Sequence, residues 1–86
     1  METRPSIAEA VSRLVGSRAP LAQGLAELPD DLRLGPGGLG LDSIALVELL
    51  LDCEQRFGIP RPVGLLEGEP LTIGRLVDHV RAATGS

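Results

Sequence analysis

Fifteen residues between two glycine-containing stretches constrain this fold most, because their apolar side chains recur at helical spacing and the segment ends at a clear stop signal. The segment begins near Asp42 and Ser43 and ends at Phe57, where Gly58 and Pro60 terminate a helix. Projected at about 100° per residue, its core-facing side chains fall on one face roughly 100° wide. They are Leu46, Leu49, Leu50, Cys53 and Phe57. The chain is therefore predicted to build its core around this helix.

The same helix carries a second apolar stripe, roughly 100° or more away from the first on that projection. The stripe and its polar neighbours consist of Ile44, Val47, Leu51, Glu48, Glu54 and Gln55. A surface helix of a small domain needs to bury only one face, so this stripe has two interpretations. Either the loop and the last segment cover it, or it is an exposed apolar strip with acidic neighbours that another protein recognises.

Two further segments repeat apolar residues at helical spacing. Ser6 and Glu9 have the spacing of a capping box, and Gly16 and Pro20 are expected to close the helix that they open. Thr72 is the expected N-cap of a last helix that ends near Gly85. With no period-two run, the pattern predicts an all-α bundle of three main helices and one short helix in a single domain, 1–86. The predicted order is a helix at about 6–16, a long loop at about 17–42, a helix at about 43–57, a short helix at about 62–67 and a helix at about 72–84.

The long loop between the first two helices is expected to pack on the core. Pro29, Asp30 and Asp31, and then the run 35–38 of glycines and a proline, form turns, so no helix passes through them. Residues 20–28 favour a further short turn of helix. Leucines at four loop positions indicate contact with the core, namely Leu32, Leu34, Leu39 and Leu41.

The composition excludes nucleic-acid binding and attachment to anionic membranes. Apolar residues make up 43% of the 86 residues, which is enough for one compact core. Phe57 is the single aromatic residue, and eight Arg, no Lys and twelve acidic residues give a net charge of −4. Partners are therefore expected to carry basic patches, and the small apolar strip predicts a monomer.

The sequence has no run approaching the roughly 18 apolar residues of a membrane span, and no signal peptide is expected at its start. A cytoplasmic location is therefore expected.

The sequence contains no credible catalytic or metal-binding constellation. Cys53 is the single cysteine, so no internal disulfide can form, and with one histidine, His79, a zinc site of Cys and His ligands is excluded. His79 lies between apolar positions of the last helix and is interpreted as a boundary residue, which leaves a serine hydrolase without a base. We therefore expect a protein that is not an enzyme.

Ser43 follows a glycine-rich loop and stands at the start of the long helix. One interpretation is that it only caps the helix. The other is that it is a modification site, because a phosphate on its hydroxyl would lie at the positive end of the helix dipole, near free backbone N–H groups. Gly40 would let another protein approach the backbone closely, and Asp42 supplies a carboxylate for a metal ion beside a phosphate.

The head of this helix resembles the attachment motif of acyl carrier proteins, with the run Gly40-Leu41-Asp42-Ser43-Ile44. The similarity extends along most of the chain. It includes the approach from Leu34 to Gly40, the helix from Ser43 to Phe57, the run Phe57-Gly58-Ile59-Pro60 and the run Leu71-Thr72-Ile73-Gly74. The order and spacing of these segments within a short, acidic, helical chain make the resemblance specific.

This resemblance implies that Ser43 bears a 4′-phosphopantetheine arm, transferred from coenzyme A by a magnesium-dependent phosphopantetheinyl transferase, with Asp42 assisting metal binding in that complex. The arm would carry acyl groups as thioesters between partner enzymes such as an acyltransferase, a ligase or a ketosynthase. The implied partner-recognition residues are Ile44, Val47, Glu48, Leu51, Glu54, Val63, Leu65 and Leu66. The residues implied to line an acyl cavity are Leu46, Leu50 and Cys53.

The sequence also departs from the pattern of housekeeping fatty-acid carriers. Ala45, Leu46 and Arg56 occupy helix positions that are often polar or acidic in those proteins, and the preceding loop carries extra glycines. These departures favour a discrete carrier of a polyketide-like or other specialised pathway. Within the class, the alternative is an aryl or peptidyl carrier of non-ribosomal peptide assembly. From another class, the alternative is an unmodified helical module for protein interaction.

Overall fold

The computed structural model describes residues 6–22, 28–60, 62–67 and 70–85. Within these residues the chain forms three α-helices, α1 (Ile7–Arg18), α2 (Ser43–Phe57) and α3 (Ile73–Thr84). Two short 3₁₀ turns, Pro20–Ala22 and Val63–Leu66, lie between them. The predicted fold class is confirmed, namely three main helices, one short helix and a long connection between the first two. No helix among the described residues is long and apolar enough to cross a membrane.

The first helix, α1, continues past Gly16 and ends at Arg18. Its N-terminus is capped as expected, because the Oγ atom of Ser6 accepts a hydrogen bond of 3.1 Å from the Glu9 N–H. At the other end Ala19 leaves the helical conformation, with φ −126° and ψ 106°. Ala19 precedes Pro20, whose ring disfavours helical backbone at the residue before it. Of the two expected stop signals, Gly16 and Pro20, the proline therefore ends α1, and the helix extends two residues beyond the expected end at about 16.

The core is aliphatic and lies between the three helices. Each helix contributes completely or almost completely buried side chains, among them Val11, Val15, Leu49, Leu50, Leu76 and Val80. Full burial of a side chain of this size contributes about 1.5–3 kcal/mol relative to exposure. A core without bulky aromatic residues is therefore sufficient to hold three short helices together.

The long connection between α1 and α2 is tied to the segment that precedes α3. The Leu34 N–H donates to the carbonyl oxygen of Leu71 at 3.0 Å, and the Ile73 N–H donates to that of Leu32, also at 3.0 Å. These two bonds form an isolated antiparallel bridge. Leu34 is completely buried, Leu41 is buried, and Leu32 and Leu39 are partly buried against the core, as predicted. The pairing itself was not predicted.

A tight turn in this connection requires glycine at position 38. The Gly38 N–H donates to the carbonyl oxygen of Gly35 at 3.1 Å, which folds the turn back onto Arg33. A Cβ atom at position 38 would fall against the carbonyl oxygen of Arg33 and only 2.7 Å from its carbonyl carbon. Because both of these are backbone atoms, a side chain could be accommodated only by moving the turn.

We expect Gly38→Ala to destabilise the fold by about 1 to 3 kcal/mol, because the added methyl group overpacks a site closed by backbone. Gly35→Ala is the matched control, since its Cβ would lie 3.7 Å from the Leu41 oxygen and 3.9 Å from a Leu46 methyl carbon, at ordinary contact distances. Urea unfolding followed by circular dichroism measures both. Equal stabilities of the two variants would contradict this account of the turn.

Candidate functional site

The N-cap of α2 is Asp42, and Ser43 is the first helical residue. Asp42 has the extended backbone of a cap, with φ −77° and ψ 176°, and its Oδ1 atom accepts a hydrogen bond of 2.8 Å from the Ala45 N–H. The carbonyl oxygen of Asp42 accepts a second bond, of 2.9 Å, from the Leu46 N–H. The interpretation of Ser43 as a capping residue is therefore wrong, because the neighbouring carboxylate performs that role.

The Ser43 side chain is exposed at the positive end of α2. The first N–H groups of a helix have no acceptor within it, and the helix dipole favours negative charge beside them. Gly40 precedes this point with a left-handed φ of 74°, and, apart from its two chain neighbours, no atom of the described residues lies within 4 Å of the position that its Cβ would occupy. A second protein can therefore reach the Ser43 hydroxyl, and an anionic group attached there would be stabilised by the helix.

An exposed apolar surface continues from Ser43 along α2. Ile44 is 70% exposed and Val47 is 36% exposed, whereas Leu51 is partly buried. Ser43, Ile44, Val47 and Glu48 line a shallow, open depression of about 300 Å³. We call these four residues the α2 patch. Of the two interpretations of the second stripe, exposure holds for Ile44 and Val47.

One arginine of α1 binds two carboxylates of α2. The Arg18 Nε and Nη2 atoms donate to the two carboxylate oxygens of Asp52, at 2.9 and 3.1 Å, and Nη1 donates to Oε2 of Glu48. Hydrogen bonding to Asp52, together with the charges of both carboxylates, raises the pKa of Arg18 above its ordinary value. Glu48, an expected recognition residue, is therefore already paired within the chain.

A second depression, of about 220 Å³, lies between the loop, α2 and the second 3₁₀ turn. We call it the loop pocket, and its lining residues are Arg33, Gly35, Pro36, Leu46, Leu66, Pro70 and Leu71. Leu46 follows Ser43 by three residues, so the two side chains lie on the same side of α2. Of the three residues expected to line an acyl cavity, Leu46 borders this pocket, while Leu50 and Cys53 are fully buried in the core.

The remaining expected recognition residues differ in their exposure and in whether they border one of these depressions. Leu66 is 37% exposed and borders the loop pocket, whereas Leu65 and Glu54 are partly buried. Val63 begins the second 3₁₀ turn, and its side chain lies outside the described part of the structure. The described residues contain no group of three or more His, Cys, Asp or Glu side chains placed to hold a metal ion.

Comparison with known protein families identifies the kind of site that this is. Residues 37–80, which are 44 of the 86, match the family described as the phosphopantetheine attachment site. The chain belongs to this phosphopantetheine-binding family. The resemblance to acyl carrier proteins is confirmed at this level. Searches of curated proteins and of solved structures found no match.

Members of this family hold a covalently attached 4′-phosphopantetheine and are generally carriers without catalysis of their own. They interact with a phosphopantetheinyl transferase and with the enzymes of a pathway. The start of α2 fits such a group, because an exposed hydroxyl, an open backbone approach and unpaired helix N–H groups meet there. This chain is therefore a phosphopantetheine-dependent carrier protein.

The single cysteine of this carrier is a structural thiol. Burial in the aliphatic core, with a smaller contribution from the charge of Asp52, raises the pKa of Cys53 to about 11. At neutral pH the Cys53 sulfur is protonated and inaccessible, so it does not compete with a thiol attached elsewhere on the carrier.

We predict that Asp42→Ala destabilises the fold by about 1 kcal/mol, because the Ala45 N–H loses its capping acceptor. Ser43→Ala, at the adjacent exposed position, is expected to change stability by less than about 0.5 kcal/mol. Thermal unfolding of the two unmodified variants measures the difference. A loss from Ser43→Ala as large as that from Asp42→Ala would show that the serine has a structural role after all.

Proposed function

We propose that this chain is an acyl carrier protein in which Ser43 bears the 4′-phosphopantetheine arm. The observation that carries the proposal is the division of roles at the start of α2. Asp42 caps the helix, which leaves the neighbouring Ser43 hydroxyl exposed and without a capping role. The family match over 37–80 includes both residues and supports an attachment site in this segment.

The proposed attachment is a phosphoryl-group transfer to the serine. The Ser43 Oγ atom forms a bond to the phosphorus atom that bears pantetheine in coenzyme A. The pyrophosphate P–O bond of coenzyme A breaks, adenosine 3′,5′-bisphosphate leaves, and the hydroxyl proton passes to a base of the transferase. The new phosphodiester carries one negative charge at the N-terminus of α2, where the helix dipole stabilises it.

Asp42 is proposed to assist the magnesium ion of that transfer complex in addition to capping α2. A carboxylate has two oxygens that together accept several partners, so the bond from the Ala45 N–H does not prevent contact with a metal. Oxygen ligands of this kind suit Mg²⁺, which retains several waters and binds few protein groups.

When attached, the arm supplies a terminal thiol that carries acyl groups as thioesters. The chain's own residues then contact the partner enzymes and enclose the acyl group. We assign partner contacts to side chains of α2 between Ile44 and Glu54, of which Ile44 and Val47 are exposed, together with the expected contributors of the second 3₁₀ turn. The set is Ile44, Val47, Glu48, Leu51, Glu54, Val63, Leu65 and Leu66. A small patch of this kind suits a carrier, which must dock weakly and leave quickly.

We propose that the acyl group lies in the loop pocket and in the core beside it. Leu46 would contact it at the pocket surface, and Leu50 and Cys53 would contact it inside the core.

For the pathway, we favour polyketide or related specialised biosynthesis over fatty-acid synthesis. The apolar Ala45 and Leu46 and the basic Arg56, at helix positions that are often polar or acidic in fatty-acid carriers, support this choice. An aryl or peptidyl carrier of non-ribosomal peptide assembly is the alternative.

The test is intact-mass measurement after incubation with coenzyme A, Mg²⁺ and a broad-specificity phosphopantetheinyl transferase. We expect the wild-type protein to gain one phosphopantetheinyl group and Ser43→Ala to gain none, because the acceptor oxygen is missing. Ser17→Ala is the matched control, since Ser17 is an exposed helical serine whose hydroxyl bonds the Leu14 carbonyl oxygen. We expect this control to be loaded like the wild type.

Folding of all three proteins is verified by circular dichroism, so that failure to load is not a failure to fold. If folded wild-type protein gains no group, or Ser43→Ala gains one, the assignment of Ser43 is incorrect. Absence of loading in the folded wild type would instead favour the unmodified interaction module.

A further inference from the structure

The acidic side chains of α2 are largely engaged within the chain. The helix contains three acidic residues, Glu48, Asp52 and Glu54, and Arg18 binds two of them. Its planar guanidinium meets both oxygens of Asp52 and one oxygen of Glu48, an arrangement that a lysine cannot reproduce. The contact joins residues 30 and 34 positions apart and connects the C-terminal end of α1 to the middle of α2.

This ion-pair cluster lies at the edge of the α2 patch. Glu48 belongs to the patch and follows Ile44 by four residues, so both side chains lie on the same side of the helix. A partner that covers Ile44 and Val47 would therefore place its neighbouring side chains over Glu48. It would meet a carboxylate that already has a cationic partner, because Arg18 reaches it from α1.

The pairing also weakens the field that a partner experiences on approach. Two carboxylates and one guanidinium carry a net charge of −1 in place of −2. Electrostatic steering depends on the net charge near the contact and falls with ionic strength. A partner cation that displaced Arg18 would gain one ion pair while another is lost, so the net gain in affinity is small.

We propose that Arg18 is an internal counterion of Glu48 and Asp52 that weakens the electrostatic attraction between the α2 patch and basic groups of the phosphopantetheinyl transferase. The inference rests on the proposed carrier function, because the partner is taken to be the phosphopantetheinyl transferase that loads Ser43. Docking on the transferase then depends more on the apolar side chains of Ile44 and Val47 and less on the carboxylates of α2.

The experiment compares Arg18→Ala with Arg13→Ala in the loading reaction. Both substitutions remove one positive charge from α1, but Arg13 is 67% exposed and faces Glu9 at 4.0 Å, away from this cluster. The rate of loading by the transferase, kcat/KM, is measured for each protein between low and high NaCl concentrations. Arg18→Gln, which keeps an aliphatic stem and a hydrogen-bond donor, provides a second variant if Arg18→Ala is poorly folded.

We expect the salt dependence of kcat/KM to be steeper in Arg18→Ala, because the two carboxylates lose their counterion. Between low and high NaCl concentrations, kcat/KM of this variant should fall about tenfold more than that of the wild type. Arg13→Ala should keep the wild-type slope. Adding Glu48→Gln to Arg18→Ala should remove most of the extra slope, because the exposed carboxylate is then absent.

Equal slopes for the Arg18 and Arg13 variants would overturn the counterion role. Absence of loading in wild-type protein at every salt concentration would instead contradict the proposed attachment at Ser43. The two failures are therefore distinguished by the wild-type result alone.

Discussion

The backbone of Leu34 connects the segments on which the candidate site depends. Its side chain is completely buried, its N–H binds the carbonyl oxygen of Leu71, and its own carbonyl oxygen accepts the Leu41 N–H at 3.0 Å. The first bond ties the long loop to the segment before α3, and the second holds the residue just before the Asp42 cap. Because buried backbone groups must be paired, loss of this anchor would leave orphaned polar groups in the core. The position at which α2 begins, and with it Ser43, follows from this anchor.

Asp42 and Ser43, which follow that anchored segment, differ in what their side chains do. Asp42 caps the helix by accepting a hydrogen bond from the Ala45 N–H, so the exposed serine beside it is not needed as the cap. The same helix then presents Ile44 and Val47 to solvent while Arg18 holds the carboxylates next to them. In the function that we propose, the attachment site, the apolar contact surface and the paired carboxylates are thus arranged along the first three turns of a single helix.

The helices could be predicted because apolar spacing, caps and breakers are local signals. The end of α1 is signalled locally by both Gly16 and Pro20, but only the proline ends the helix, because glycine alone does not terminate a helix that continues to pack. Asp and Ser are both favourable N-cap residues, so residue type alone could not decide whether Asp42 or Ser43 caps α2. The bridge between Arg33 and Thr72 and the pairing of Arg18 with Asp52 join residues more than thirty positions apart, and no periodic pattern marks such contacts.

The central claim is that the arm is attached to Ser43, and peptide mapping of the loaded protein tests it most directly. Cleavage after Arg33 and Arg56 releases the peptide 34–56, in which Ser43 is the only serine, threonine or tyrosine. Tandem mass spectrometry of the digest after treatment with coenzyme A and transferase should find one phosphopantetheinyl group on this peptide and none on the others. An unmodified 34–56 peptide in a fully loaded protein, or the group on any other peptide, would contradict the account.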